Sequence, residues 1–331
     1  MSTHRSSWPG TGRIALVLFA AVAASAAYPW HSTRERWVLG TGVAVVAALL
    51  VRWRGLPLTT LLRRRVALNR GRHGERRIRR TVTDPRVTAL LSIAAPHEDT
   101  DALPLPLIAR YLDRYGLRAD TIRVTSRDVG DHGGVRERAT WIGLTFSAVD
   151  NLAALQARSP DIPLDETAAV VARRLADHLR ESGWAASAVE PGDIPRLDAA
   201  GSRETWHGIV QESGDHLAAY RLTPGHDLPD LLGKVWSYPA PETWTALEVA
   251  GSGDDQTLAF AAAFRTGAQP VGLPLRGLSP QPGNQRASLA GLHPLSVQRL
   301  DGHAVVAPDW LSRLWWPSSN VRRSLVDSGL G

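Results

Sequence analysis

Residues 14–51 read IALVLFAAVAASAAYPWHSTRERWVLGTGVAVVAALLV, and this stretch determines how the rest of the chain is placed. It contains two uncharged apolar runs, 14–27 and 37–51, separated by the polar residues 31–36. The runs hold 14 and 15 residues, fewer than the roughly 20 of a transmembrane helix. Aromatic residues that favour the membrane interface extend both runs, namely Tyr28, Trp30, Trp37 and Trp53. The pattern predicts a transmembrane helical hairpin over residues 14–53, after a tail of residues 1–13.

Small residues are spaced along both predicted helices and would let the two backbones pack closely. They are Ala20, Ala24 and Ala27 in the first helix and Gly40, Ala44 and Ala48 in the second. A cleaved signal peptide is an alternative, with Arg13 before the apolar core and Ala24-Ser25-Ala26 as the cleavage site. The second run would then remain as a single anchor. A buried helix in a water-soluble protein is a further alternative.

Charge is distributed unevenly along the chain. Residues 1–80 contain 15 arginines and two acids, for a net charge of +13, whereas residues 81–331 contain 23 basic and 30 acidic residues, for a net charge of −7. Within residues 52–80 there are 11 arginines and one acid, which is a strong positive-inside signal. We therefore expect a multi-pass protein of a bacterial plasma membrane, with both termini and the large domain in the cytoplasm.

Residues 54–80 form a basic juxtamembrane neck. From Leu56 onward apolar residues recur at helical spacing and the arginines lie largely elsewhere, which predicts an amphipathic helix on the inner leaflet. The residues expected to contact the membrane interface and anionic lipid are Arg52, Trp53, Arg54, Arg63, Arg64 and Arg65. Alternatively, the neck only fixes the topology, or it is an RNA-binding arm. It lacks interleaved aromatic residues for base stacking, and the body is acidic, so we expect no nucleic-acid partner.

The body after the neck is predicted to be a cytoplasmic domain of mixed α/β structure, which makes the whole chain a membrane-anchored α+β protein. The first unit spans residues 81–190. Its predicted elements, in order, are a strand within 81–95, a helix at 104–115 closed by Gly116, strands at 121–125 and 140–146, a helix at 164–182 and a strand at 184–189.

A linker at 191–202, rich in proline and glycine, separates this unit from a second one at 203–331. The predicted elements of the second unit are strands at 205–211 and 217–222, a helix at 228–236, a hairpin of strands 243–249 and 257–265, an irregular segment at 266–294, and short segments at 304–307 and 311–316 that pack back on the body. A β-β-α-β order recurs in both units, which suggests two related halves.

The sequence contains no catalytic, cofactor-binding or metal-binding motif that we can assign. Cysteine is absent, which excludes thiol catalysis and disulfide bonds. The acidic loop 97–101 and the pairs Asp215-His216 and His226-Asp227 place acids beside imidazoles, but no GxSxG nucleophile accompanies them. Residues 225–234 end in Gly-Lys with the wrong spacing for a P-loop. Tryptophans in or beside predicted elements are expected to pack in cores, namely Trp141, Trp184, Trp206, Trp236 and Trp244.

Several local motifs resemble the EccE family, a membrane component of the mycobacterial type VII (ESX) secretion system. They are Asp113-Arg114-Tyr115-Gly116-Leu117, Thr140-Trp141-Ile142-Gly143-Leu144, Val170-Val171-Ala172-Arg173-Arg174-Leu175-Ala176 and Ser182-Gly183-Trp184. The two apolar runs, the arginine-rich neck and the cysteine-free body follow the same order as in that family.

The resemblance implies a non-enzymatic structural subunit of a plasma-membrane complex that exports proteins, with EccB, EccC and EccD as partners and EccC as the ATPase. It brings no catalytic residue and no cofactor. Two other functions remain open from the sequence. One is a membrane-tethered, transferase-like enzyme that binds a metal at acidic loops such as 99–101 or 254–255. The other is a nucleic-acid-binding membrane protein that uses the neck.

Overall fold

The computed structural model describes residues 52–53, 56–57, 85–94, 102–130, 136–161, 163–198, 201–251, 255–307 and 309–317. The chain divides into two compact units, residues 1–76 and 77–331. The predicted tail, both apolar runs of the membrane hairpin and most of the neck lie outside the described residues. In the ranges that the structure describes, no helix combines the length and hydropathy needed to cross a bilayer.

In the first unit, strand β1 (Arg52–Trp53) pairs antiparallel with β2 (Leu56–Pro57). The sequence predicts that the first two residues end a membrane helix and that the last two begin the amphipathic helix of the neck. All four positions are extended here. Pro57 explains the conformation of Leu56, because the residue before a proline is pushed out of the α region and into an extended conformation. The hairpin and the neck as a whole stay predictions.

The second compact unit, residues 77–331, is called the second unit from here on, and it is built on one large antiparallel sheet. Its strands are β3 (Arg86–Ala94), β4 (Asp113–Arg114), β5 (Leu117–Gly130), β6 (Arg136–Ser147), β7 (Ala185–Ala188), β8 (Arg203–Glu204), β9 (Ile209–Val210), β10 (His216–Leu222), β11 (Glu242–Ala250), β12 (Thr257–Thr266), β13 (Leu278–Pro280) and β14 (Ala304–Val305). Its helices are α1 (Leu105–Ala109), α2 (Leu152–Gln156), α3 (Leu164–Glu181), α4 (Leu228–Trp236), α5 (Gln285–Leu292) and α6 (Trp310–Arg313). The main strand order is β7-β3-β6-β5-β11-β12-β10-β9-β8.

The sheet contains the same arrangement of elements twice. In the first half, the order β3-α1-β5-β6-α3-β7 along the chain gives the spatial order β7-β3-β6-β5, which is the split βαβ arrangement of ferredoxin-like folds. In the second half, β10-α4-β11-β12 gives the spatial order β11-β12-β10. Each half therefore places its third strand between its first two. The repeated order is β-α-β-β and not the β-β-α-β order read from the sequence. In the first half it begins earlier, at β3 instead of β5, and in the second half it begins later, at β10 instead of the strand predicted at 205–211.

The two halves join where β5 pairs antiparallel with β11, from Thr121 opposite Ala250 to Val129 opposite Glu242. The two units predicted at 81–190 and 203–331 thus share one continuous sheet. Within the predicted linker, Ile194 and Leu197 are buried in a core on that sheet.

Side chains alternate between the two faces of the sheet, and each face has its own core. The helical face is covered by α1, α3, α4 and α6, whose apolar residues pack on Ile122, Leu247 and Phe260. The opposite face packs against α5 and the 194–197 segment around Trp141, Trp244 and Ala261. We call residues 293–303, which cross this second face, the strap, and we call the face itself the strap face.

Most of the strongly patterned predictions are confirmed. The described strands β3, β5, β6, β7, β10, β11 and β12 and the helices α3 and α4 lie where apolar periodicity places them, within a few residues. In α3, Asp165 and Glu166 occupy the first turn, where acids favour the helix dipole, and His178 and Arg180 the last. Periodicity is therefore a sound guide wherever an element is long and packs on one side.

Three predictions of local structure are wrong. The helix predicted at 104–115 is shorter and ends at Leu112, because Tyr115 and Gly116 adopt φ values of 57° and 69°. Two successive positive φ angles form a tight hairpin turn, which joins β4 to β5 instead of capping a helix. The segment 266–294, predicted as irregular, contains β13 and α5. In the strand predicted at 205–211, only Ile209–Val210 are extended as β9. Residues 205–208 form the turn between β8 and β9, where Thr205 and Gly208 hydrogen-bond to each other.

Candidate functional site

Most of the residues that the sequence assigns to the membrane lie outside the described part of the chain. These are Arg54, Arg63, Arg64 and Arg65 of the interface set, and Ala20, Ala24, Ala27, Gly40, Ala44 and Ala48 of the helix-packing set. Arg52 and Trp53 are described, as strand β1. The acidic loop 97–101 is also outside the described residues.

The two acid–imidazole pairs of the sequence do not form catalytic pairs. The Asp215 carboxylate lies 3.9 Å from the Arg265 guanidinium, whereas His216 is buried and its ring nitrogens have no hydrogen-bond partner among the described residues. Burial lowers the pKa of His216, and the neighbouring His207 lowers it further. The side chains of His226 and Asp227 are fully exposed.

The most organised polar cluster lies on the strap face, at the junction of the two halves. Arg123 of β5 and Glu248 of β11 stand directly opposite each other in the ladder. Their side chains are 3% and 0% exposed, and the Arg123 guanidinium donates to Glu248 Oε2. A buried ion pair costs a large desolvation free energy unless further hydrogen bonds satisfy both groups.

The strap supplies further hydrogen bonds to both Nη atoms of Arg123 and to Glu248, while Arg123 Nε has no hydrogen-bond partner among the described residues. Arg123 Nη1 donates to the carbonyl oxygens of His293 at 3.1 Å and Ser296 at 2.7 Å, and Nη2 donates to that of Gln298 at 2.5 Å. Glu248 Oε1 accepts from the Leu300 amide at 3.2 Å. One buried ion pair therefore holds both halves of the sheet and the strap together.

The strap also requires a glycine on the neighbouring strand. Gly143 of β6 lies beside Arg123 in the ladder, and a Cβ atom at Gly143 would overlap the carbonyl oxygen of Pro294. The backbone of the strap therefore lies directly on the sheet at this point, which only glycine permits.

His303 completes the cluster in a way that resembles a catalytic triad. Its Nε2 lies 2.8 Å from Glu248 Oε1, and its Nδ1 lies 3.0 Å from Thr257 Oγ1. A hydroxyl, an imidazole and a carboxylate in this order can activate a nucleophile. Here the carboxylate is shared with Arg123 and the strap. Burial alone would raise the pKa of Glu248, but hydrogen bonds from His303 and Arg123 and the charge of Arg123 hold it below its usual value.

A small cleft lies beside the strap. It has a volume of about 20 Å³ and is lined by residues that include Ala219, Arg221, Ser288 and Asp301, but neither Thr257 nor His303. Such a volume accommodates about one water molecule. The geometry of the cluster therefore supports a structural role, in which the polar groups fix the strap and the register of β5 and β11.

A second buried carboxylate strengthens the same junction. Glu242 Oε1 accepts from Arg127 Nε at 2.6 Å and from Trp244 Nε1 at 2.9 Å, and Oε2 accepts from Arg265 Nε at 2.6 Å. Burial alone would raise the pKa of Glu242, but the hydrogen bonds from the two arginines lower it overall. The Trp244 ring stacks on Trp141 at a centroid distance of 5.8 Å.

The structure confirms the core role predicted for Trp141, Trp184 and Trp244, which are buried, while Trp206 and Trp236 are half-buried. Among the described residues, no group of three or more acids and histidines is positioned to hold a metal ion. The sequence analysis missed the strap cluster, although a signal was present. Arg123 and Glu248 are single charges in otherwise uncharged stretches, TIRVT and TALEVA.

Comparison with known proteins gives consistent results. A family model described as "Putative type VII ESX secretion system translocon, EccE" matches residues 135–222. The "ESX-3 secretion system protein EccE3" of Mycobacterium tuberculosis is 54% identical over 316 residues, which cover 94% of this chain and 93% of that protein. The protein of the same name from Mycolicibacterium smegmatis is 46% identical over 299 residues, which cover 90% of this chain and 92% of that protein.

Proposed function

This chain belongs to the EccE family of type VII (ESX) secretion system components, and we propose that it is a non-enzymatic structural subunit of an ESX-3 membrane complex. In this role it contributes to assembly of the complex and to protein export. The observation that carries the proposal is the 54% identity to an ESX-3 secretion system protein across 94% of the chain. The ionic cluster of the strap face supports it, because its charged groups are used to hold the fold together.

The proposed membrane arrangement follows from the sequence. Residues 14–53 contain a transmembrane helical hairpin in the plasma membrane, with its helices over the two apolar runs, and both termini and the second unit lie in the cytoplasm. The neck at 54–80 contacts anionic lipid through its arginines. Ala20, Ala24 and Ala27 of the first helix pack against Gly40, Ala44 and Ala48 of the second, or against helices of a partner.

The proposed partners are the EccB, EccC and EccD subunits of the complex, with EccC supplying ATP hydrolysis. The second unit would contact their cytoplasmic domains. The net charge of −7 over residues 81–331 favours basic partner surfaces and disfavours nucleic acid. The chain needs no cofactor or metal for this role.

Blue-native electrophoresis of detergent-solubilised membranes tests the proposal. We expect the tagged chain to migrate in one large band with EccB, EccC and EccD. Gly40→Leu, on the proposed helix-packing side, should deplete that band, whereas Gly42→Leu, about 160° from the centre of that side, should leave it intact. Migration only as a free monomer, while the other subunits remain in the large band, would refute the structural role.

The Thr257–His303–Glu248 arrangement favours one alternative, a membrane-tethered enzyme that acts at the inner leaflet. Thr257→Val removes the hydroxyl at nearly constant volume, and Thr257→Ser keeps it. Under the structural role, both variants export substrates normally once the complex has assembled. Loss of export in Thr257→Val alone, with the complex intact, would instead support catalysis.

A further inference from the structure

The hairpin turn at Tyr115 forms an exposed aromatic and cationic site at one end of the sheet. Tyr115 is 42% exposed, and two guanidinium groups lie over its ring, that of Arg114 at 5.2 Å and that of Arg174 at 4.4 Å from the ring centroid. Arg158 Nη2 donates to the Tyr115 carbonyl oxygen at 3.4 Å. Tyrosine at a position with φ of 57° is an uncommon choice, because this region favours glycine or asparagine. The turn therefore presents an aromatic ring at some conformational cost.

Exposed apolar side chains lie on the segment after β6, Val149 in the loop and Leu152 at the start of α2. Val149 is 65% exposed and Leu152 is 43% exposed. The loop is tied to the β4–β5 hairpin by Asn151, which accepts from the Arg118 amide at 2.8 Å and donates to the Arg118 carbonyl at 2.8 Å. We call Tyr115, Arg118, Val149, Leu152 and Arg158 together the Tyr115 surface.

The charge of this site is opposite to that of the body around it. Four arginines, at positions 114, 118, 158 and 174, stand against two aspartates, at 113 and 150, whereas residues 81–331 carry a net charge of −7. The Arg118 side chain is 62% exposed and its nearest carboxylate, that of Asp113, is 4.0 Å away. Exposed arginines beside tyrosine and aliphatic side chains match the chemistry of a membrane interface, where apolar groups enter and cations meet phosphate.

The position of the Tyr115 surface in the fold agrees with this chemistry. The described part of the second unit begins at Pro85, whose carbonyl oxygen accepts from the Ala148 amide at 3.0 Å. The next residue, Arg86, pairs with Ser147 at the end of β6. The described chain therefore enters the sheet at the end where β6 leads to Val149.

We infer that the Tyr115 surface docks on the anionic inner leaflet of the membrane and so fixes the orientation of the second unit. This inference rests on the proposed membrane anchor and adds a second lipid contact, separate from the neck. Tyr115, Val149 and Leu152 insert at headgroup depth, and Arg118 and Arg158 meet the phosphates. Each arginine near an anionic surface favours docking roughly fivefold.

The absence of cysteine allows a direct test with the full chain in lipid nanodiscs. Val149→Cys is labelled with a fluorophore, and quenching by lipids with a spin label near the headgroup reports contact. Ser182→Cys, exposed at the opposite end of the first half beside β7, is the matched control. With 30% anionic phospholipid in the nanodisc, we expect strong quenching at position 149 and little at 182.

Two variants examine the chemistry of docking. Arg118→Ala with Arg158→Ala should weaken the docking equilibrium about 25-fold and abolish the difference between anionic and zwitterionic nanodiscs. Tyr115→Asn keeps a residue that tolerates positive φ and should reduce quenching without unfolding the hairpin.

The outcomes separate the two proposals. If the chain fails to incorporate into nanodiscs, the membrane anchor is wrong and this inference falls with it. If the chain incorporates but position 149 is no more quenched than position 182, the anchor stands and the inference alone is overturned. Quenching at 149 that ignores both lipid charge and the arginine variants would also overturn it.

Discussion

Arg118 and Arg123 lie on the same strand, five residues apart, and serve opposite purposes. Arg123 is buried on the strap face, where it donates to one carboxylate and three carbonyl oxygens. Arg118 is 62% exposed, and its nearest acid is 4.0 Å away. A guanidinium removed from water must have its hydrogen bonds supplied by the protein, and Arg123 is therefore part of the fold. A guanidinium left in water remains available for a partner.

The same contrast separates the strap face from the Tyr115 surface. The strap cluster joins residues that are up to 175 positions apart, so its loss should affect the whole second unit. The Tyr115 surface is built mainly from the β4–β5 hairpin and the loop after β6, and its charged heads contact solvent. Substitutions there should change binding and leave the fold intact.

The largest expected effect comes from removing the buried carboxylate. Glu248→Ala leaves Arg123 buried without its counter-ion and should reduce the free energy of unfolding by about 3–5 kcal/mol. Urea unfolding followed by tryptophan fluorescence measures this, because Trp244 lies on the same strand. Asp113→Ala, which removes the exposed partner of Arg118, is the matched control and should cost less than about 1 kcal/mol. Equal effects of the two variants would refute the contrast.

A smaller loss of stability is expected when the strap is displaced from the sheet. Gly143→Ala places a methyl group against the Pro294 carbonyl and should destabilise the second unit by about 1–3 kcal/mol. Gly233→Ala makes the same change within α4, where nothing lies within 4 Å of the added Cβ. This control should stabilise the protein by about 0.5–1 kcal/mol. Opposite signs in the same urea experiment would show that the strap contact, and not the loss of a glycine, is responsible.

Acid should destabilise the second unit in two stages. Burial lowers the pKa of His216, and burial together with Arg123 and Arg196 lowers that of His293, from an ordinary value of 6.5. The unfolded chain therefore takes up protons first, and stability should begin to fall below about pH 6.5. The pKa values of Glu242 and Glu248 lie below their ordinary 4.5, so further stability is lost below about pH 4.5.

Urea midpoints measured from pH 8 to about pH 3 cover both stages. His216→Gln, combined with His293→Gln, should flatten the first stage and leave the second unchanged. A profile that rises as the pH falls from 7 to 5 would contradict the direction given by the two histidines.

Local periodicity predicts much of this fold, but it cannot identify the partners of isolated charges. The stripe of α3 and the alternation of β5 and β6 are set by side chains close in sequence. Arg123 and Glu248 are 125 residues apart, and their pairing depends on how the two halves of the sheet join. Tyr115-Gly116 shows a different limit of prediction from sequence. Glycine after an apolar helical pattern can end a helix, or it can form a hairpin turn. Only the pairing of Arg114 with Leu117 distinguishes the two.

The smallest effect on stability is expected from the Tyr115 surface itself. Arg118→Ala combined with Arg158→Ala removes two exposed guanidinium groups. The backbone at position 118 stays in place through Asn151, and the backbone at position 158 stays in place through α2. The free energy of unfolding should therefore change by less than about 0.5 kcal/mol for each residue, measured by the same urea titration. Docking to anionic nanodiscs should still weaken about 25-fold. If the double variant instead unfolds as readily as Glu248→Ala, these two arginines stabilise the fold as Arg123 does. The contrast between exposed and buried arginines would then be refuted.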